Sequence, residues 1–210
     1  MTSKEKPAVT PTETEKTSSE LTFWEQVKSN SKTIAIALLI ALIIRAFIAE
    51  PRYIPSDSML PTLEVSDRVI VEKISYRFHP PQRGDIIVFE PPPQLQALGY
   101  QADQAFIKRT IGEPHQTVEV RDRTVYLDNL ALKEDYIAEA PNYDLQRVTI
   151  PDNTIWVMGD NRNNSNDSHI WGFLPQRNVI GRAFFRFWPL NRLGWISRGN
   201  ENANNPIELT

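Results

Sequence analysis

Ser56 and Ser58 stand one residue apart in Pro55-Ser56-Asp57-Ser58-Met59-Leu60-Pro61-Thr62-Leu63, with a proline restricting the backbone on either side. A hydroxyl presented from a stiff loop suits nucleophilic attack if a base takes its proton. A second hydroxyl close by can donate to the oxyanion that then forms. Alone, Ser-x-Ser between prolines reads more readily as an ordinary turn.

A base is available in Phe106-Ile107-Lys108-Arg109-Thr110-Ile111-Gly112. Strand alternation puts Phe106, Lys108 and Thr110 on one face and Ile107, Arg109 and Ile111 on the other, so Lys108 emerges beside apolar neighbours. Lysine acts as a base near neutral pH only when burial disfavours its charged form. After Pro51 the other lysines are Lys73 and Lys133. On this segment alone, a solvated strand lysine is the simpler reading.

The third segment, Gly159-Asp160-Asn161-Arg162-Asn163-Asn164-Ser165-Asn166-Asp167-Ser168-His169-Ile170-Trp171-Gly172, sets short hydrogen-bonding side chains between glycines. Such a loop bonds its own backbone and projects a hydroxyl toward a neighbour. It also reads as a solvated polar loop, or as a calcium site on Asp160, Asp167 and asparagines. The spacing is not that of an EF-hand, and Arg162 and His169 would oppose a cation, so no metal is expected. Nor is any other cofactor expected.

These segments need a scaffold. Beyond Pro51 the sequence offers short runs with strand character at Arg68–Ile74, Asp85–Phe89, Ala105–Ile111, Thr117–Arg121, Thr124–Leu127, Thr154–Met158 and Arg182–Trp188, separated by Pro, Gly, Asn and Asp. Asp128-Asn129 predicts a tight turn. No ten-residue helical periodicity appears in this part. The fold class expected is mainly β, with folded antiparallel sheets. Pro91–Gln104, with three consecutive prolines, predicts a surface excursion.

The chain of 210 residues has room for one anchored domain with a real core, and its formal net charge of −3 carries no nucleic-acid footprint. Without cysteine there are no disulfides, thiolate chemistry or lipidated cysteine. An anchor is legible instead in Ile34–Ala49, IAIALLIALIIRAFIA, apolar apart from Arg45, whose long stem can snorkel to headgroups. A buried core helix has the same composition. A cleaved signal peptide fits less well, because the run follows a polar leader and ends at Glu50-Pro51. Lys28 and Lys32 favour a cytoplasmic N-terminus with the bulk of the chain on the other side. The expected organisation is a disordered and juxtamembrane segment at 1–32, a transmembrane anchor at 33–49, an extracytoplasmic β domain at 50–198 and a flexible tail at 199–210. Residues 1–20 read as the disordered part.

In order, PSDSMLPTL, RGDIIVFEPP (Arg83–Pro92), FIKRTIG and GDNRNNSNDSHIWG, with GRAFFRFWP (Gly181–Pro189) and the apolar run before them, resemble the bacterial type I signal peptidase family. The resemblance covers most of the chain from residue 34 onward. It implies a serine endopeptidase with Ser58 as nucleophile and Lys108 as general base. Ser56 would join the Ser58 backbone N–H in the oxyanion hole. Ser165 would hydrogen-bond and orient the lysine, and Asp160 and Asp167 would hold the surrounding loop. Implied partners are membrane lipid and exported preproteins, cut after small-x-small motifs such as Ala-x-Ala. Implied locations are the cell membrane, or a thylakoid membrane where there is one. No nucleic acid is expected as a partner.

Three positions depart from the family pattern: Phe106 where Tyr is frequent, Asn163 where Asp is frequent, and His169 where Arg follows Asp-Ser. None removes a proposed catalytic group. Three rival readings follow from the residues: a Ser-His-Asp triad built on His169 with Asp160 or Asp167, a self-cleaving repressor peptidase, and a tethered β domain that only binds a partner. Trp188 and Trp195 suggest either an apolar lip on the bilayer or core residues. Ala138-Glu139-Ala140 is read as a loop, since Pro141 follows it and no apolar run precedes it.

Overall fold

The computed structural model describes residues 14–199. The chain divides after Arg45 into two units. The first is carried by one helix, α1 (Thr14–Phe47). Its window Asn30–Phe47 is long and apolar enough to cross a membrane by length and composition, with none of it buried. Residues 14–20, which composition assigns to a disordered tail, lie within α1, a local departure from that expectation. The rest of that tail, and residues 200–210 of the C-terminal tail, fall outside the described residues.

The second unit is mainly antiparallel β. In chain order its elements are β1 (Ala49–Tyr53), β2 (Arg68–Glu72), β3 (Ile86–Phe89), α2 (Pro93–Ala97), β4 (Phe106–Gly112), β5 (Thr117–Arg121), β6 (Thr124–Leu127), β7 (Leu130–Ala131), β8 (Leu145–Thr149), β9 (Thr154–Met158), α3 (Ser168–Trp171), β10 (Leu174–Pro175), β11 (Val179–Trp188) and β12 (Gly194–Trp195). The larger sheet runs β1-β2-β11-β3-β4-β9-β10, with β12 paired to β11; the smaller runs β7-β6-β5-β8.

Side-chain alternation marks the strands that bury one face. Val69 and Val71 of β2 turn inward, as do Val118 and Val120 of β5 and Val125 and Leu127 of β6. β3 and β4 lie in the middle of the larger sheet, where nearly every residue is buried on either face. Their register sets Lys108 opposite Ile87 and Arg109 opposite Ile86. The turn at Asp128-Asn129 takes the left-handed backbone at both residues (φ 50° and 70°), which suits the twist of a two-residue hairpin between β6 and β7.

Two expectations are refined. The Pro91–Gln104 segment is a surface excursion, but α2 within it is pinned by the fully buried Leu95. Tyr100 packs edge-on against Phe106 of β4. Trp188 and Trp195 are exposed rather than core residues, with Leu190 and Leu193 exposed beside them in the sequence.

Candidate active site

The serine loop is held from below by its own apolar residues. Ile54, Met59 and Leu63 are buried in one cluster with Val69, Val71, Ile86 and Ile107, and Leu63 N–H donates to Met59 O at 2.9 Å. Ser58, adjacent to Met59, is thereby fixed while remaining 7 % exposed. Among the described residues, none accepts a hydrogen bond from the Ser58 backbone N–H. Ser56 Oγ lies 3.4 Å from Ser58 Oγ.

β4 brings Lys108 to this loop. Lys108 Nζ lies 2.7 Å from Ser58 Oγ and 2.9 Å from Ile107 O. The side chain is buried, and burial pushes its pKa down from 10.5 to about 8 against the opposing pull of Asp167 and Asp160. An ammonium donates to both oxygens. A neutral amine keeps the bond to Ile107 O and turns its lone pair toward the Ser58 hydroxyl. This is the geometry of a nucleophile beside its base.

The 159–172 loop closes over the same place. Asn161 N–H donates to Ser58 O, Asn161 Nδ2 to Asp57 O, and Asn164 Nδ2 to the Asp57 carboxylate at 2.9 Å. Gly159 is required by close approach: a Cβ there would collide with Ser58 O and with the Ser165 side chain. Ser165 is buried at this contact. Its Oγ makes no hydrogen bond of good geometry, to Lys108 or to any other described residue, although it lies near enough to Asp167 to help lower that carboxyl's pKa. The structure thus brings Ser165 to Gly159 beside the Ser58 carbonyl, without the hydrogen bond to Lys108 that the resemblance implies.

Asp160 and Asp167 are both fully buried and fully engaged. Asp160 receives a two-pronged contact from Arg109, Nε to Oδ1 at 2.8 Å and Nη2 to Oδ2 at 2.7 Å, and Thr62 Oγ1 donates to Oδ2 at 2.5 Å. Asp167 accepts from Gly159 N–H and caps α3 through His169 N–H. Burial raises its pKa, but His169, Ser165 and the Gly159 N–H outweigh that, so its carboxyl sits below the usual range. Neither carboxylate is left for a cation, and among the described residues no acidic or histidine cluster could hold a metal.

His169 Nδ1 lies 2.7 Å from Asp167 Oδ1, and its ring stacks on Tyr143 with centroids 4.2 Å apart. It makes no hydrogen bond to Ser56 or Ser58, so the geometry lends the triad rival no support. Asn163 accepts from Asn142 N–H and donates to Ala140 O. An aspartate at 163 could accept the first bond but not donate the second, a physical account of that departure.

Reading the motifs misses several residues that hold the site. Arg109 and Arg162 are fully buried, Thr62 joins the serine loop to Asp160, and Glu134 and Tyr136 lie outside every motif. The alternation of β4 puts Arg109 on one face with Ile107 and Ile111, a signal for a buried partner.

A family model described as signal peptidase, peptidase S26 matches residues 27–188. The chain is 61% identical over 173 residues to a probable signal peptidase I-1 of a Synechocystis species, covering 82% of this chain and 88% of that protein. It is 55% identical to a signal peptidase I of Leptolyngbya laminosa, over 78% of this chain and 80% of that one. To a probable chloroplastic thylakoidal processing peptidase 2 of Arabidopsis thaliana it is 43% identical, over 80% of this chain and 46% of that longer protein. A solved signal peptidase I from Enterococcus faecalis is 36% identical, covering 50% of this chain and 97% of its own, with a TM-score of 0.42. By the family match and by these curated relatives, the chain belongs to the signal peptidase family, peptidase S26.

Proposed function

We propose that this signal peptidase is a membrane-anchored endopeptidase that removes N-terminal signal peptides after small-x-small motifs, with Ser58 as nucleophile and Lys108 as its base. The observation that carries the reading is the 2.7 Å approach of Lys108 Nζ to Ser58 Oγ, with the lysine buried and its pKa pushed down to about 8.

In this mechanism neutral Lys108 takes the Ser58 proton as Oγ bonds to the scissile carbonyl carbon, whose π electrons move onto oxygen. The oxyanion is met by the Ser58 N–H and the Ser56 hydroxyl. On collapse the C–N bond breaks, and the Lys108 ammonium gives its proton to the leaving amine. Water, deprotonated by the now neutral Lys108, then bonds to the acyl carbonyl carbon; on collapse the ester C–O bond to Ser58 breaks and the Lys108 ammonium returns the proton to Ser58 Oγ. This is the Ser-Lys form of serine-protease chemistry. A structural role alone would not call for a lysine amine buried against a serine hydroxyl, and this disfavours the purely binding reading.

Membrane attachment is supported by α1, whose apolar window lies unburied. The exposed Trp188, Leu190, Leu193 and Trp195 support a second contact with lipid. Lys28 and Lys32 support a cytoplasmic N-terminus, with the β unit on the opposite side of a plasma or thylakoid membrane.

The test is cleavage of an Ala-x-Ala preprotein in detergent by the wild type, Ser58→Ala and Lys108→Ala. Both variants are expected to fold and to lose turnover by at least about a thousandfold. Substantial processing by either one sinks the dyad assignment.

A further inference from the structure

We infer that Glu134 and Tyr136, from the segment joining β7 to β8, are positioning residues of the peptidase: through two buried arginines they hold the serine loop and the 159–172 loop against Lys108. The inference rests on the Ser58–Lys108 reading and adds to it a task for the smaller sheet.

Two relays run from this segment into the site. In the first, the Glu134 carboxylate takes the Arg162 guanidinium on both prongs, Nη1 to Oε2 at 2.7 Å and Nη2 to Oε1 at 2.8 Å. Arg162 Nε donates to Gly159 O at 3.0 Å. Gly159 is the residue pressed against Ser58 O and the Ser165 side chain. In the second, the Tyr136 ring carries Arg109 on its face, with Cζ 4.0 Å from the centroid. Arg109 grips Asp160, and Asp160 accepts from Thr62 of the serine loop. Arg109 also follows Lys108 directly in β4. The relays are joined at their origin, where Tyr136 OH donates to Glu134 Oε1 at 2.8 Å, and Arg162 sits 5.9 Å from the same ring.

Physical chemistry makes these contacts more than filler. A buried guanidinium needs a counterion and a full set of acceptors, and removing one partner leaves an uncompensated charge that drags its other contacts with it. For Arg162 those other contacts include the Gly159 carbonyl, and for Arg109 the Asp160 carboxylate. Burial and the Glu134 charge raise the Tyr136 pKa, so the hydroxyl remains a donor at working pH. Both carboxylates that act on the Lys108 amine, Asp160 and Asp167, belong to the loop so held. Displacement of that loop alters both the alignment of the dyad and the field at the amine.

The experiment measures kcat, KM and the pH dependence of kcat on the full chain in detergent, per folded molecule. The variants are Tyr136→Leu, Tyr136→Phe and Glu134→Gln, with Ser58→Ala as control. Tyr136→Leu removes the aromatic face and is expected to lower kcat about 10- to 100-fold, with KM within about threefold and the acid limb of the profile displaced. Tyr136→Phe keeps the face and should recover most of that loss. Glu134→Gln keeps the shape, removes the counterion of Arg162, and should again lower kcat rather than raise KM. It provides the measurement if Tyr136→Leu does not fold. Unchanged kcat and pH profile in folded Glu134→Gln and Tyr136→Leu, with only the melting temperature lowered, would overturn the inference. If Ser58→Ala itself turns over substrate, the dyad reading fails instead, and the two failures are distinguishable.

Discussion

Lys108 and Arg109 are neighbours on β4 that leave the strand on opposite faces, one meeting the Ser58 hydroxyl and the other the Asp160 carboxylate. Both are buried, yet only the arginine has a carboxylate within bonding distance. One strand thus carries a guanidinium paired with a carboxylate and an amine whose charged form burial disfavours. Each side of that arrangement has a measurable consequence.

For Lys108 the consequence is a stability cost that depends on pH. Its folded-state pKa of about 8 lies below the ordinary 10.5, so between those values the unfolded chain binds a proton that the folded chain does not. Stability therefore rises with pH across this window, and the whole cost, roughly 3 kcal/mol, is present below it. Lys108→Met removes the charge along with two hydrogen bonds. At pH 6.5 it should be more stable than the wild type by about 1 to 3 kcal/mol, the advantage fading toward pH 10.5. Thermal melts across pH test this. A variant that is less stable at pH 6.5 contradicts the burial argument. Wild-type kcat/KM should rise with pH, with a midpoint near 8, as the amine becomes neutral.

For Arg109 the charge cannot be shed, so geometry decides. Arg109→Lys keeps the charge but cannot span Asp160 on two prongs while also reaching Gly84 O and Ser197 O and covering Tyr136. The expected loss is about 2 to 4 kcal/mol of folding stability, with catalysis impaired because Asp160 is part of the loop over the dyad. Urea unfolding gives the first number. A loss below about 0.5 kcal/mol would mean that the network relaxes around the shorter fork.

His169 separates two ways of using a histidine. It holds Asp167 and stacks on Tyr143, with no hydrogen bond to Ser58. His169→Arg supplies another donor to Asp167 and should keep kcat within about tenfold of the wild type. His169→Leu leaves the Asp167 charge without that partner, strengthens its pull on the Lys108 ammonium, and moves the acid limb of the rate profile up by about half a unit. Loss of all turnover in His169→Arg would restore the triad reading.

Thr117–Arg121 and Thr124–Leu127 were legible from a period-two pattern and Thr154–Met158 from a short continuous apolar run; all three occupy the predicted spans. β1 and β8 were not legible. β1 carries Pro51 and charged residues on an edge strand, and β8 reads LQRVT with little of it buried, so neither announces a core face. In the candidate site, Ser58 and Lys108 are singled out by the order of segments that are individually ordinary. Glu134 and Tyr136 could not be found that way. Their partners lie 28 residues away in Arg162 and nearly as far in Arg109, and in sequence a buried ion pair looks like two solvated charges. The Ser165 hydroxyl shows the opposite limit, since the resemblance supplies a bond to Lys108 that the observed packing does not contain.

Trp195 extends the reasoning to the surface. It stands on β12 against Phe184 and Phe185 and is 77 % exposed, an arrangement that leaves much of a large aromatic side chain unburied. An indole held this way suits the interface of a bilayer, where its ring is apolar and its N–H can reach water. The full chain reconstituted in vesicles containing brominated lipid should show tryptophan quenching that falls measurably in Trp195→Phe. Trp156, buried beneath the smaller sheet beside Phe173, should contribute nothing. Quenching that is unchanged in Trp195→Phe would place this face in water and leave α1 as the sole proposed lipid contact.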